Sequence, residues 1–460
     1  MERPDLVLVD EKDFYYPAVD FPPLMYWLYV LITRGLDLLL SLEPEPQGLA
    51  VPLLSAYAKE AGFRVETVRN VSNRLLQRRR FIELLKLKPL AVGISTIGVK
   101  KESTVRGVAR LVRLHSPGSV IVLGGYGAQN SPGMRAAGDV TITGYGETAL
   151  VRLLRDLRAA DPEAALGGAP RDYGGARIIP GNLHYEGQER MLFPDWAAAP
   201  ARPKHYNIEA SRGCRFNCIY CNFPGKKTQT YRSPEEVAGE MFRAAEEFGV
   251  RKFNFVDSNL TSDPEFVIRL CALIRKKGFK CRWRCFSRVS DFSRRPELAA
   301  AMAEAGCRWI FLGIEALDDA ILRKMRKGYT RAEIDAGVSA LEKAGIPIHA
   351  NFIVGFPGET REIFRETERY ILRHGFKSVY LSPLLVTETM YALASENPEE
   401  FCNLKGSSPR QWAHDTMDYA EAVSLVGRAA LKINLRKLRP VVFPLGGGVP
   451  ESGEEGLPPV

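Results

Sequence analysis

Short apolar runs and longer amphipathic stretches alternate along most of the chain. Leu6-Val7-Leu8-Val9 is an apolar run closed by Asp10, which predicts a buried strand. Residues 48–61 read as a helix, and Gly62-Phe63-Arg64-Val65-Glu66-Thr67-Val68 as the next strand. Further strands are predicted over 90–95, 119–123 and 140–142, with a helix over 103–114 and another opening at Glu147. Strands and helices alternating at these lengths predict a doubly wound parallel sheet. Three turns, Ser95–Gly98, Gly124–Gly127 and Gly144–Glu147, leave the carboxyl ends of predicted strands. Sheets of this kind bind ligands there, and glycine lets a backbone approach a large flat or phosphate-bearing ligand closely.

A second β/α series begins at Tyr206, after an Ala-, Gly- and Pro-rich connection over 157–205. Its predicted strands are 207–210, 252–257, 280–286, 309–313, 347–354 and 378–383. Helices near 233–248, 264–277, 296–305, 317–325, 330–344 and 359–374 separate them. This predicts a partial (β/α)6 barrel with active residues at the carboxyl ends of its strands. The chain thus divides into a Rossmann-like domain over 1–156, a linker over 157–205, the barrel over 206–390 and a short C-terminal region over 391–460. That last region is predicted helical over 408–438 and disordered from Pro444. Between the first strand and the helix at Gly48 lies an apolar stretch, residues 24–42, with Arg34, Asp37 and Ser41 on one narrow stripe. It is too short to span a bilayer. It reads as a helix buried on the first domain, a dimer contact, a membrane-surface contact or a wall for an apolar substrate.

Composition narrows the class. A chain of 460 residues with 45% hydrophobic and 25% charged positions fits a soluble protein of about two or three domains. Eight cysteines behind a charged N-terminus with no leader pattern point to a reducing, cytoplasmic setting. The net charge of +9 is spread along the chain. Arg78-Arg79-Arg80 and Lys226-Lys227 read as solvated faces, with an anionic substrate or RNA as the alternative. Neither a nucleic-acid partner nor a transmembrane segment is expected.

The chemistry lies in Cys214, Cys218 and Cys221, spaced C-x3-C-x2-C. By chance, eight cysteines give this spacing on the order of a few times in a thousand. A structural zinc site takes four ligands, yet the next cysteine is Cys271 and no histidine follows closely. Three thiolates suit a [4Fe–4S] cluster with one iron open; a zinc knuckle or three unrelated thiols is the competing interpretation. The stretch resembles the signature of radical S-adenosylmethionine (SAM) enzymes, including an aromatic residue, Tyr220, before the last cysteine. The resemblance implies that the open iron chelates SAM and that an electron from the cluster cleaves it.

The same family resemblance extends over about residues 205–385. Asp257-Ser258-Asn259 stands where the family binds the SAM ammonium. Ser287 and Arg288 match positions for the ribose or carboxylate, Glu315 a ribose or ammonium contact, and Gly355 the segment beside the adenine. Residues 4–155 resemble the cobalamin-binding domain that precedes many radical SAM domains. The likeness rests on Ser95-Thr96-Ile97 with Gly98, on Gly124-Gly125-Tyr126, and on Gly144-Tyr145-Gly146-Glu147. Two departures stand out. The loop from Asp10 to Pro17 has no histidine to ligate cobalt, and Gly127 replaces a frequent histidine. The resemblance therefore implies cobalamin without a protein imidazole on cobalt, or a domain that keeps the fold without the cofactor.

Of the other cysteines, Cys271 reads as helix core, Cys281, Cys285 and Cys307 as buried thiols near strands, and Cys402 lies past the barrel. Cys285 and Tyr380 are candidate hydrogen-atom donors. The resemblance implies a cobalamin-dependent radical SAM methyltransferase acting on an unactivated carbon of a small-molecule, natural-product-like substrate, with flavodoxin or ferredoxin as electron donor. A radical SAM cyclase or oxidoreductase without methyl transfer is the alternative, and a non-catalytic SAM- or corrinoid-binding protein a third.

Overall fold

The computed structural model describes residues 2–12, 48–99, 101–159, 177–184, 191–196, 205–221, 223, 225, 227–437 and 442–444. The apolar stretch 24–42 and the tail from 445 lie outside these residues. The chain packs as two units. The first holds the described residues up to Arg215 and from Phe223 to Ser258; the second holds Phe216–Cys221 and those from Asn259 onward.

In the first unit, β1 (Leu6–Lys12), β2 (Val65–Arg69), β3 (Ala91–Gly98), β4 (Val120–Gly124), β5 (Val140–Thr143) and β6 (Arg177–Pro180) form a parallel sheet in the order β2-β1-β3-β4-β5-β6. Alternation sends Val7, Val9, Val92, Ile94 and Ile121 to one face, under Phe81, Leu84 and Val108 of helices 75–86 and 102–115. It sends Leu6, Leu8, Ala91, Val122 and Val140 to the other face, against Leu150, Leu153 and Leu154 of helix 147–158. Burial on both faces explains the continuous apolar runs, and each buried valine, leucine, isoleucine or phenylalanine contributes about 1.5–3 kcal/mol. The sheet is doubly wound, as its alternation predicted.

Two elements here escaped the sequence pattern. Helix Leu75–Lys86 buries Phe81, Leu84 and Leu85 and turns Arg78-Arg79-Arg80 outward, so that basic cluster is a solvated helix face. Strand β6 falls inside the stretch read as a linker and pairs Val140 with Arg177 through Thr143 with Pro180.

The first unit also contains the start of the second β/α series: β7 (Tyr206–Ile208), β8 (Ser211–Cys214), β9 (Thr228–Tyr231), helix Pro234–Phe248 and β10 (Lys252–Phe255). Strand β10 runs parallel to β7, with Phe253 opposite Tyr206. β8 and β9 form an antiparallel pair with Cys214 opposite Thr228. The helix opens on a Ser233/Glu236 capping box with Pro234 in its first turn, and closes on Gly249 at φ 70°.

In the second unit, β11 (Arg282–Ser287), β12 (Cys307–Glu315), β13 (Ile348–Val354) and β14 (Ser378–Pro383) lie parallel and side by side. Helix 264–276 precedes β11, and helices 297–304, 331–343 and 361–373 separate the four strands in sequence. Among the described residues the C-terminal region is helical over Tyr419–Lys437 and at the end of helix Glu388–Glu396. The predicted helix start at 408 is corrected by an antiparallel meander, β15 (Lys405–Ser408), β16 (Gln411–His414) and β17 (Met417–Asp418). There Trp412 and His414 alternate inward at a period of two, and Trp412 Nε1 donates to Leu384 O at 2.9 Å. A last strand, β18 (Val442–Pro444), pairs with β14.

Candidate active site

The cysteine loop is anchored in the first unit by a carboxylate distant in sequence. Asp257 is buried and accepts hydrogen bonds from Ala210 N at 3.2 Å, Ser211 N at 2.5 Å and Ser211 Oγ at 2.6 Å. Burial pushes its pKa up to about 7, against the pull of these donors. Ser258 Oγ donates to Gly213 O at 2.6 Å. Gly213 sits at φ +89°, where a Cβ would lie 2.2 Å from Thr228 O, so no other residue fits before Cys214. Asp257 and Ser258 thus fix the strand that delivers Cys214, a role the sequence did not signal.

Cys218 and Cys221 belong to the second unit. Cys221 N donates to Cys218 O at 3.3 Å, and Ile219 N to Met325 O at 3.3 Å. Thr387 Oγ1 donates to Ile219 O, also at 3.3 Å. The guanidinium of Arg288 stacks on Phe216 with its carbon 3.7 Å from the ring centre and donates from Nη1 to Cys218 Sγ at 3.4 Å. Lys327 Nζ donates to Tyr220 OH at 3.1 Å and lies 3.6 Å from Glu315 Oε1. Tyr329 OH donates to Gly313 O at 2.8 Å. Tyr220, Arg288 and Glu315, all predicted, are therefore brought together with Cys218. Lys327 and Tyr329 were missed; the only signal was a basic-aromatic pair soon after the strand that carries Glu315.

The other predicted residues engage their own partners. Asn259 Nδ2 donates to Asp291 Oδ2 at 3.2 Å, and Thr261 Oγ1 to the same oxygen at 2.7 Å. Ser287 is buried beside Cys285 Sγ at 3.5 Å. Gly355 is at φ +87°, and a Cβ there would meet Trp412 Cη2 at 2.5 Å. Its N–H donates to Glu359, a fully buried carboxyl.

Burial raises the Glu359 pKa from 4.5 to about 8. The folded state therefore holds this proton more tightly than the unfolded chain. The sign follows: the contribution is most favourable below about pH 4.5 and is lost as pH rises toward about 8. Glu359→Gln, neutral throughout, is expected to raise the urea midpoint relative to wild type more at the alkaline end of that window than at the acid end. An equal effect at both ends would show that Glu359 is ionised throughout.

None of the three loop cysteines is in a disulfide. Among the described residues no group of three or more His, Cys, Asp or Glu side chains converges on a single metal ion. A cubane cluster does not require such convergence, because each thiolate binds a different iron. Arg288 places a cation against the Cys218 sulfur. The donor set fits a [4Fe–4S] cluster better than zinc.

The first unit also encloses an apolar cavity of about 440 Å³. Leu53, Leu54, Ile94, Ile142 and Leu150 contribute to its wall, together with the predicted Ser95, Gly124, Gly125, Tyr126, Gly144, Gly146 and Glu147. The predicted Thr96 lies behind the wall, donating from Oγ1 to Gly124 O and accepting from Ala128 N, both at 2.8 Å. Gly98 ends β3 and is not on the wall. The volume suits the aromatic nucleotide tail of a cobalamin, with glycines where a large ligand must lie against backbone.

One wall of this cavity is ionic. Arg212 Nη2 lies 2.7 Å from Glu147 and its Nε 2.8 Å from Glu209, with all three side chains buried and the guanidinium carbon 4.0 Å from the Tyr145 ring centre. Burial, then Glu209, drives the Tyr145 hydroxyl well above its usual pKa, so it remains protonated. Removing the cation would strand two buried carboxylates. Arg212→Ala is expected to cost about 3–5 kcal/mol in urea denaturation; a loss within the surface range of about 0.5 kcal/mol would refute the triad.

Of the remaining cysteines, Cys271, Cys281, Cys285 and Cys307 are all buried. Cys285 is on the covered side of β11, next to Ser287. Tyr380 is half-buried on the opposite face.

Comparison with known proteins adds family evidence. Residues 208–371 match the Radical SAM superfamily, and residues 35–154 match the B12 binding domain. An uncharacterized methyltransferase of Pyrococcus horikoshii is 28% identical over 242 residues, covering 50% of this chain and 52% of the relative. A bacteriochlorophyllide d C-12(1)-methyltransferase of Chlorobaculum tepidum is 32% identical over 195 residues, covering 40% and 42%. The chain spans about half the length of these curated relatives. The solved structure of the radical SAM methyltransferase TsrM from Kitasatospora setae, with cobalamin and a [4Fe-4S] cluster bound, superposes with a TM-score of 0.68. That match covers 100% of this chain and 94% of TsrM at 17% identity, a likeness of fold.

Proposed function

The chain is a radical SAM protein with a B12 binding domain ahead of its radical SAM domain, and from that premise we propose that it is a cobalamin-dependent methyltransferase. Its substrate is a small molecule, methylated at an unactivated carbon. The observation that supports this best is the pairing, in one chain, of a C-x3-C-x2-C thiol loop with a glycine-walled apolar cavity at the carboxyl ends of a parallel sheet.

Cys214, Cys218 and Cys221 hold a [4Fe–4S] cluster, and the cavity of the first unit holds the tail of cobalamin. When bound, the cluster supplies the electron for cleaving SAM and the corrinoid carries the methyl group. The chain's own residues position and protect. Arg288 holds positive charge on the Cys218 sulfur, and Lys327 fixes Tyr220 beside the last cysteine. Asn259, Ser287, Arg288, Glu315 and Gly355 line the SAM site. Asp257 acts through the backbone of the cysteine loop, so it is a positioning residue. Reducing power comes from a flavodoxin- or ferredoxin-type donor. Among the described residues no helix is long and apolar enough to cross a membrane.

The test is anaerobic purification with iron, sulfide and corrinoid quantified together, followed by incubation with methyl-labelled SAM and reductant. Methyl transfer yields both S-adenosylhomocysteine and 5′-deoxyadenosine. Deoxyadenosine alone would leave the cyclase or oxidoreductase alternative, and neither product would leave a binding protein.

A further inference from the structure

Strands β11–β14 of the second unit present one face to helices and an opposite, partly open one. On the open face, alternate residues of four strands come into register: Arg284 opposite Trp309, Phe286 opposite Phe311, Phe311 opposite His349, and Asn351 opposite Tyr380. The rings form a continuous shelf. Phe286 stacks on Phe311 with centroids 4.8 Å apart and an interplanar angle of 21°. Phe311 lies 5.0 Å from His349, and His349 lies 5.7 Å from Trp309. Phe286 leaves 40% of its surface exposed, unusual for a phenylalanine inside a β/α array.

The Arg284 guanidinium stands 5.4 Å from the Trp309 ring centre and 5.7 Å from that of Phe311. Glu315 is the one acidic residue on this face of β11–β14, and it is engaged by Lys327 at 3.6 Å. Burial, then Arg284 and Lys377, lowers the His349 pKa to about 4, so its ring is neutral near neutral pH. Its Nδ1 meets Ser378 Oγ. The Nε2 of His349 and the Nε1 of Trp309 are buried and have no hydrogen-bond partner. Unfilled polar capacity of this kind costs about 1–3 kcal/mol per group.

Resting on the assignment as a radical SAM enzyme, we propose that this shelf is the substrate-recognition surface and that the substrate is a planar aromatic acid. Its ring lies on Phe286 and Phe311, and its carboxylate is met by Arg284. An aromatic plane offset on a ring gains beyond simple area burial, and a guanidinium recognises a carboxylate with two parallel donors.

The experiment uses the anaerobically reconstituted protein and two probes, indole-3-carboxylate and its neutral isostere indole-3-carboxamide, with binding measured by equilibrium dialysis. The acid is expected to bind at least about tenfold more tightly than the amide, a difference of about 1.4 kcal/mol. Arg284→Met should erase that preference. Phe286→Ala should weaken both probes alike. Equal binding of the two probes, an acid preference that survives Arg284→Met, or binding of neither at millimolar concentration would overturn the proposal. SAM cleavage and corrinoid retention, measured on the same preparations, report on the enzyme assignment independently.

Discussion

Replacing Cys214, Cys218 and Cys221 together with alanine removes the visible iron–sulfur absorbance of the reconstituted protein and abolishes SAM cleavage. The expectation rests on ligand chemistry. Each thiolate holds a separate iron of a cubane, and no second close-spaced trio exists to replace them. Structural damage is not the expected cause. Cys214 and Cys221 are only half-buried, Cys218 is buried, and the two core clusters of the first unit include none of the three side chains. The triple variant should therefore keep its far-ultraviolet circular dichroism and its corrinoid content. Cys402→Ser is the matched control and should retain iron. If the triple variant still carries about four irons per chain after reconstitution, the cluster is elsewhere.

What the sequence disclosed follows from how locally each element is determined. Strands β1, β3, β4 and β5 were legible because burial on both faces makes them continuous apolar runs. Helix 234–248 was legible because Ser233, Pro234, Glu236 and Gly249 mark both of its ends. The β8–β9 pair was not legible. Ser211-Arg212-Gly213-Cys214 has no apolar alternation, and its conformation depends on Asp257, 46 residues away from Ser211. The same non-locality hid the Arg212 triad, whose Glu147 partner is 65 residues distant. The meander at 405–418 was mistaken for helix because its two inward residues, Trp412 and His414, are too few to establish a period. At the candidate site, Tyr220, Arg288 and Glu315 were found from their places after strands. Lys327 and Tyr329 follow a short helix, where position alone carries no chemical expectation.

The cavity of the first unit provides the other large effect, and the choice of residue decides whether the experiment can be interpreted. Gly125 is the obvious target, but it sits at φ +98°. A Cβ there would lie 2.7 Å from Ile97 Cγ1 and 2.9 Å from Ile97 N. Gly125→Val would therefore strain the backbone and displace β3, and a loss of ligand could reflect misfolding. Gly124 is different. A Cβ there meets nothing nearer than Ile142 O at 3.8 Å, and its backbone is not in the left-handed region. It also stands on the cavity wall. Gly124→Trp places a ring of roughly 200 Å² into space that a cobalamin tail needs, without reshaping the strand. Corrinoid uptake is expected to fall by at least about tenfold, more than 1.4 kcal/mol, with iron content and thermal midpoint close to wild type. Gly124→Ala, which adds only the tolerated Cβ, should bind nearly normally, so the series separates occlusion from damage. Because the cluster ligands are untouched, SAM cleavage to 5′-deoxyadenosine should persist in the tryptophan variant while methyl transfer stops. Undiminished corrinoid binding by Gly124→Trp would place cobalamin outside this cavity and remove the structural basis for the methyltransferase assignment.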